Sequence, residues 1–173
     1  MNPALRGLFA RRSIRLYTDQ PVGDEILRDL LEAAMAAPSA VAKDPWEFYI
    51  ARDAATRYAM AEALPNGKML RDAPVGILVA GDINRAHDGE LSYLIQDCSA
   101  AIENFLIAAS MLKLGCCWLG VHPREERIAK MREIFGLPEN QVPVSAIALG
   151  WPAQDAKART RYREDAVHGL EPL

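Results

Sequence analysis

The sequence predicts an α+β fold, and three observations carry the prediction. Helical and strand-like periodicities are interleaved along the 173 residues without the regular strand–helix alternation of a parallel sheet. Half of the residues are apolar (50%), which at this length gives one domain a proper core. Residues 90–113 carry a wide apolar face, the mark of a long and nearly central helix.

The elements follow in order. Leu5, Leu8 and Phe9 fall on a helical spacing, so residues 3–11 predict a short first helix. "DEILRDLLEAAMAA" (24–37) places Ile26, Leu27, Leu30, Leu31 and Ala34 on one face. Acidic residues open it and Pro38 closes it, as helix ends favour. In "WEFYIARD" Trp46, Phe48 and Ile50 alternate on one side, predicting a strand. "DAATRYAMAEAL" reads as an amphipathic helix, and "APVGILVAGD" (73–82) as a buried strand entered through Pro74. In the long helix, Leu91, Leu94, Ile95, Cys98, Ile102, Phe105, Leu106, Ala109 and Leu112 trace the apolar face. "CCWLG" predicts a buried strand. A helix follows Pro123, carries Ile128, Met131, Ile134 and Phe135, and ends at Gly136. "VPVSAIALGWP" is the last strand. From residue 153 onward few apolar residues remain and no period is clear, so this tail is either disordered or laid across another surface, such as a partner subunit.

Composition excludes several functions. The formal net charge of −3 argues against bulk nucleic-acid binding. No apolar run reaches the ~18 residues of a membrane span, and the N-terminal apolar stretch is too short for a signal peptide, with its arginines on the wrong side. A cytoplasmic location is expected. Cys98, Cys116 and Cys117 lie in apolar surroundings, two of them adjacent, and read as small buried hydrophobes in a reducing compartment. His87, His122 and His168 are scattered, and the spacings of common metal sites are absent, so no metal is expected.

Four stretches could carry chemistry. In "ARRSIRLYTDQPV" (10–22) three arginines surround Ser13. Guanidinium groups match phosphate oxygens and a hydroxyl adds one more hydrogen bond. If the segment is extended, Arg11, Ser13 and Arg15 project to one side and Arg12 to the other. The plainer reading is a solvated basic loop. "APSAVAKDPWEF" (37–48) makes a stiff polar turn, or simply connects a helix to a strand. "CCWLG" ends at Gly120, which would let a flat ligand approach the backbone, or merely ends a strand tightly. "ARTRY" places Arg159 and Arg161 in the tail, where the plainer reading is disorder. Neither a dinucleotide fingerprint nor a P-loop accompanies them: after "GCCWLG" the chain continues Val-His where a P-loop needs Lys followed by Ser or Thr.

Taken in order, "RRSIRLY", "EAAMAAPSA", "PWEFYI", "KMLRDAPVGILVAGD", "DCSAAIENFLIAASMLKLGCCWLGV", "IFGLPENQVPVSAIALGWP" and "RTRY" resemble the nitroreductase-like family of FMN-dependent flavoproteins, over residues 5–168. The chain looks like a short member. The resemblance implies a central, mostly antiparallel mixed sheet flanked by helices, and a homodimer whose C-terminal tails, here about 153–173 of a single domain spanning 1–173, are exchanged between subunits. It implies tightly bound FMN at the interface, NADH or NADPH as electron donor, and a nitroaromatic or quinone-like acceptor in a ping-pong cycle. It also leaves open a flavin-binding sensor with little turnover, or related reductive chemistry.

Carried over by position, Arg11 and Ser13 match phosphate contacts, with Arg12 beside them. Arg15 and Lys68 match basic positions at the pyrimidine edge of the flavin. Pro38, Ser39 and Ala40 match a turn supplied by the other subunit. Trp118, Leu119 and Gly120 match the strand end lining the ring, and Arg159 and Arg161 match basic tail positions near the phosphate. The family often has Asn and Gln where this chain has Ala42 and Asp44. Ala42 cannot make an amide's hydrogen bonds, and an ionised Asp44 accepts from the flavin N3–H but cannot donate.

Overall fold

The computed structural model describes residues 2–169. Its helices are α1 (Arg6–Ala10), α2 (Asp24–Met35), α3 (Ala54–Ala63), α4 (Leu91–Met111) and α5 (Glu125–Phe135). Its strands are β1 (Trp46–Ala51), β2 (Val75–Asp82), β3 (Gly115–Gly120) and β4 (Gln141–Gly150). The fold is α+β as predicted. The strands pair in the order β1-β2-β4-β3, and each pairing is antiparallel. The expected parallel component reduces, among the described residues, to one bridge between Ser13 and Cys116.

Why the central strands read as unbroken apolar runs is clear from the packing. Val75, Ile77 and Val79 of β2, with Ile147 and Leu149 of β4, face the core under α2 and α4. The alternate residues Leu78, Ala80, Ala146 and Ala148 face a second core under α3 and α5. Both faces are covered, so neither can alternate with polar residues. On α4, Leu94, Cys98, Ile102, Phe105 and Ala109 are completely buried, one per turn or so, which fixes its central place. Edge strand β1 departs from its predicted pattern. Trp46 is buried, but Ile50 is 36% exposed.

Local signals set the helix ends. The Asp53 carboxylate accepts from the Thr56 backbone N–H (2.8 Å) and starts α3. That bond holds the Asp53 carboxyl below its ordinary range. Gly136, at φ +60°, ends α5 in the left-handed conformation. Helix α2 ends at Met35, two residues before its predicted limit.

Segment 11–18 is extended and runs beside β3. Ile14 N–H donates to the Cys116 carbonyl (2.9 Å), and the buried Ile14 side chain lies where a Cβ on Gly115 would come within 2.7 Å. Only glycine permits that approach. Tyr17 Oη donates to the Ile14 carbonyl (2.6 Å) and reaches the Ala148 carbonyl (3.2 Å). Gln154 Oε1 accepts from the backbone N–H groups of Arg15 and Leu16, tying the start of the tail to the same segment. Beyond it the tail is exposed, and Arg159 N–H donates to the Phe9 carbonyl (3.3 Å). Residues 170–173 of the predicted tail lie outside the described residues.

Candidate functional site

The extended segment and β3 form one wall of a cavity of about 620 Å³. Arg15, Lys68, Trp118, Leu119 and Gly120, five of the residues singled out from the sequence, line it together. Strand geometry explains the grouping. With Ile14 buried, its neighbours Ser13 and Arg15 point outward. Trp118 is 37% exposed, whereas its neighbours Cys117 and Leu119 are buried, so "CCWLG" is not a wholly buried strand. A Cβ built on Gly120 meets nothing within 4 Å, so the strand ends with an open face on the cavity.

Sequence reading missed part of this wall. Leu64, Pro65, Asn66 and Met69 also line the cavity, and so does Arg127. The "LPNGK" turn just before Lys68 carried a signal for Asn66. Arg127 had none, because α5 reads as an ordinary amphipathic helix. Its Nη1 donates to the Gly120 carbonyl (2.9 Å) and so braces the strand end.

A second group of cations stands at the other end of β3. Arg12 lies close enough to Arg159, Arg161 and Arg11 to feel them. Partial desolvation first, and then those three charges, lower its tendency to hold its proton. Clustered like charges repel unless an anion joins them, and this group sits next to Ser13. Arg11 differs from its expected role in one respect: its Nε already pairs with Glu103 (3.1 Å).

The 38–44 turn is a separate feature and does not line the cavity of its own chain. Ser39 Oγ donates to Asp44 Oδ1 (2.5 Å) and accepts from the Asp44 backbone N–H (2.9 Å). Val41, Ala42 and Asp44 have φ of 53°, 52° and 48°, in the left-handed region that costs a non-glycine residue about 1–2 kcal/mol. Asn tolerates that region, which gives a backbone reason for Asn at position 42 elsewhere in such sequences. The turn is anchored from beneath. Ala40 N–H donates to Asp97 Oδ1 (2.8 Å), and Asp97 on α4 is only 5% exposed. Its Oδ2 has no partner among the described residues.

The cysteines are free and buried. Burial, and then the neighbouring Asp97 charge, push the Cys98 thiol up to about 12. Burial likewise raises Cys116 and Cys117, the latter opposed by Arg15. None is a ready thiolate at neutral pH. No described helix is long and apolar enough to cross a membrane.

Comparison with known proteins places these features in context. The model of the nitroreductase family matches residues 8–67 and 61–151. A protein of Archaeoglobus fulgidus, provisionally named NADH dehydrogenase/NAD(P)H nitroreductase, is 42% identical over 97% of this chain and 98% of its own. A crystal structure of a protein given the same provisional name, from Bacteroides thetaiotaomicron, superposes with a TM-score of 0.91 at 38% identity over 99% of both chains. A provisionally named nitroreductase from Desulfovibrio desulfuricans, solved in complex with FMN, superposes with a TM-score of 0.85 at 34% identity, over 100% of this chain and 99% of its own.

Proposed function

The chain belongs to the nitroreductase family, and on that premise we propose that it is an NAD(P)H-dependent FMN oxidoreductase acting as a homodimer. The observation that carries the reading is the cavity that gathers Arg15, Lys68, Trp118, Leu119 and Gly120. Its volume of about 620 Å³ suits a cofactor ring. Its residues fit FMN chemically: a flat apolar wall, an open glycine face, and two cations for an electron-rich edge.

FMN, when bound, supplies two-electron chemistry, with NAD(P)H as donor and a nitroaromatic or quinone-like compound as acceptor in alternating half-reactions. The protein binds and tunes. Arg12, Ser13, Arg159 and Arg161 hold the phosphate, with Arg11 sharing its charge between that site and Glu103. Arg15 and Lys68 set a positive potential at the pyrimidine edge, favouring added negative charge there. Trp118, Leu119 and Gly120 hold the ring plane. A second copy contributes Pro38, Ser39, Ala40 and Asp44, its turn pre-shaped by the Ser39–Asp44 bonds. The exposed tail, with Tyr162 at 61% exposure, supports an exchange of tails between subunits.

Initial rates measured across donor and acceptor concentrations test the scheme. Parallel double-reciprocal plots are expected, and intersecting plots would reject the alternating cycle. Replacing Arg15 with Ala should lower the two-electron potential of the bound flavin. An unmoved potential would remove Arg15 from the ring edge.

A further inference from the structure

The chain carries more anion-binding capacity than FMN uses. Cys116, bridged to Ser13, and Gly120 are four residues apart on β3, which at about 3.3 Å per residue separates them by roughly 13 Å. The Arg12 group stands at the first end. At the second end a further cleft of about 480 Å³ opens between α3 and α5 and shares Pro65 and Arg127 with the main cavity. Arg124 and Arg127 line it.

The cleft's own lining balances three carboxylates, Glu62, Glu125 and Glu126, against three cations, Arg124, Arg127 and Lys130, but their pairing is uneven. Glu62 is paired with Arg71, and Glu126 with Lys130. Arg124 and Arg127 have no carboxylate partner among the described residues, and Glu125 offsets one of the two. Arg127 spends one N–H on the Gly120 carbonyl, and a guanidinium has several more. FMN brings a single phosphate, and under the reading above the Arg12 group holds it while Arg15 and Lys68 meet the pyrimidine edge. The second pair of arginines is therefore free for another anion, beside the open end of the ring wall.

We propose that Arg124 and Arg127 seat the pyrophosphate of the dinucleotide donor, making the cleft between α3 and α5 the donor's docking groove. The inference rests on the flavin-reductase reading. A guanidinium pair suits a pyrophosphate, which presents several oxygens to bidentate donors. Its anchorage on Gly120 couples the seat to the strand end that lines the ring, so a donor held there presents its nicotinamide to the main cavity. An anionic acceptor offers similar chemistry, and the test separates the two.

The test compares the FMN-loaded wild type with Arg124→Gln and Arg127→Gln; the second keeps an N–H for the Gly120 carbonyl. Equilibrium dialysis measures NAD+ and NADP+ binding. Anaerobic flavin reduction is followed with NADH, with NADPH, and with 1-benzyl-1,4-dihydronicotinamide, which lacks phosphates. Each variant is expected to bind the oxidised dinucleotides about tenfold more weakly. The kcat/KM ratio of dinucleotide to phosphate-free donor should fall by a similar factor. An unchanged ratio in both variants, with wild type reduced by all donors, overturns the donor seat alone. A raised KM for an anionic acceptor with an unchanged donor ratio assigns the arginines to the acceptor and also overturns it. Wild type that holds FMN but is reduced by no donor overturns the flavin-reductase reading and the seat with it.

Discussion

The cavity beside β3 and the 38–44 turn are both candidate flavin contacts, yet they are held in opposite ways. The cavity wall is regular strand backed by buried side chains, and Arg15 projects from an extended segment hydrogen-bonded to β3. The turn has three left-handed non-glycine residues, an internal Ser39–Asp44 clasp, and an anchor on Asp97. One wall is rigid because the sheet makes it so. The other is shaped by strain that a few bonds oppose. Helix α4 supports both, through Phe105 in the core and Asp97 under the turn.

That shared support gives the largest expected effect. Phe105→Ala should destabilise the protein by about 3–5 kcal/mol, read by urea unfolding, because a fully buried ring leaves a cavity. A loss below about 1 kcal/mol would mean α4 is not the common support. The next effect separates the two regions. Asp97→Ala leaves the Ala40 N–H without its acceptor, at about 1–3 kcal/mol, and hydrogen exchange at Ala40 should accelerate while amides of β3 stay protected. Equal acceleration in both would erase the distinction. On the cavity side, Tyr17→Phe removes the hydroxyl that ties the Ile14 and Ala148 carbonyls together, for about 1 kcal/mol in thermal unfolding.

Alkaline pH should act through the buried thiols. A thiol whose folded value is raised keeps its proton in the folded state and loses it more readily when unfolded. Its contribution to stability is complete below the unfolded value near 9.0 and is lost as pH rises through about 12. Unfolding followed from pH 8 to 11 should therefore show a decline that Cys98→Ala makes shallower, and parallel declines would exclude Cys98 as a source. The smallest effect has the opposite sign. Ala42→Gly should stabilise by up to about 1 kcal/mol by relieving a left-handed alanine, whereas no gain in melting temperature would show that the turn is not strained there.

The same contrast explains what the sequence revealed. The rigid wall was legible because strand alternation fixes direction. Once Ile14 is recognised as apolar between Ser13 and Arg15, the outward side chains follow; Trp118 and Gly120 came from the family resemblance, since "CCWLG" by itself reads as a buried strand. The two-faced burial of β2 and β4 was legible as unbroken apolar runs. The 38–44 segment was legible as a stiff turn but not in its conformation, because nothing in "SAVAKD" signals three left-handed residues; Val and Ala are poor markers of that conformation. Asp97 was not singled out from the sequence, and only tertiary packing makes it an anchor. Arg127 was hidden for a similar reason, since its role depends on where the β3 strand end meets α5. Ile50 kept the right period, but periodicity does not report how far an edge strand is covered.

Titration of FMN into flavin-stripped protein, followed by the visible flavin absorbance, checks the proposal that the β3 wall and the Arg12 group together hold FMN. Saturable, stoichiometric binding is expected, weakened more by Arg12→Ala than by Arg11→Ala, because Glu103 already engages Arg11. The bound flavin should bleach with NADH or NADPH in the absence of oxygen. Failure to bind FMN, or binding that Arg12→Ala and Arg15→Ala both leave unchanged, would contradict it.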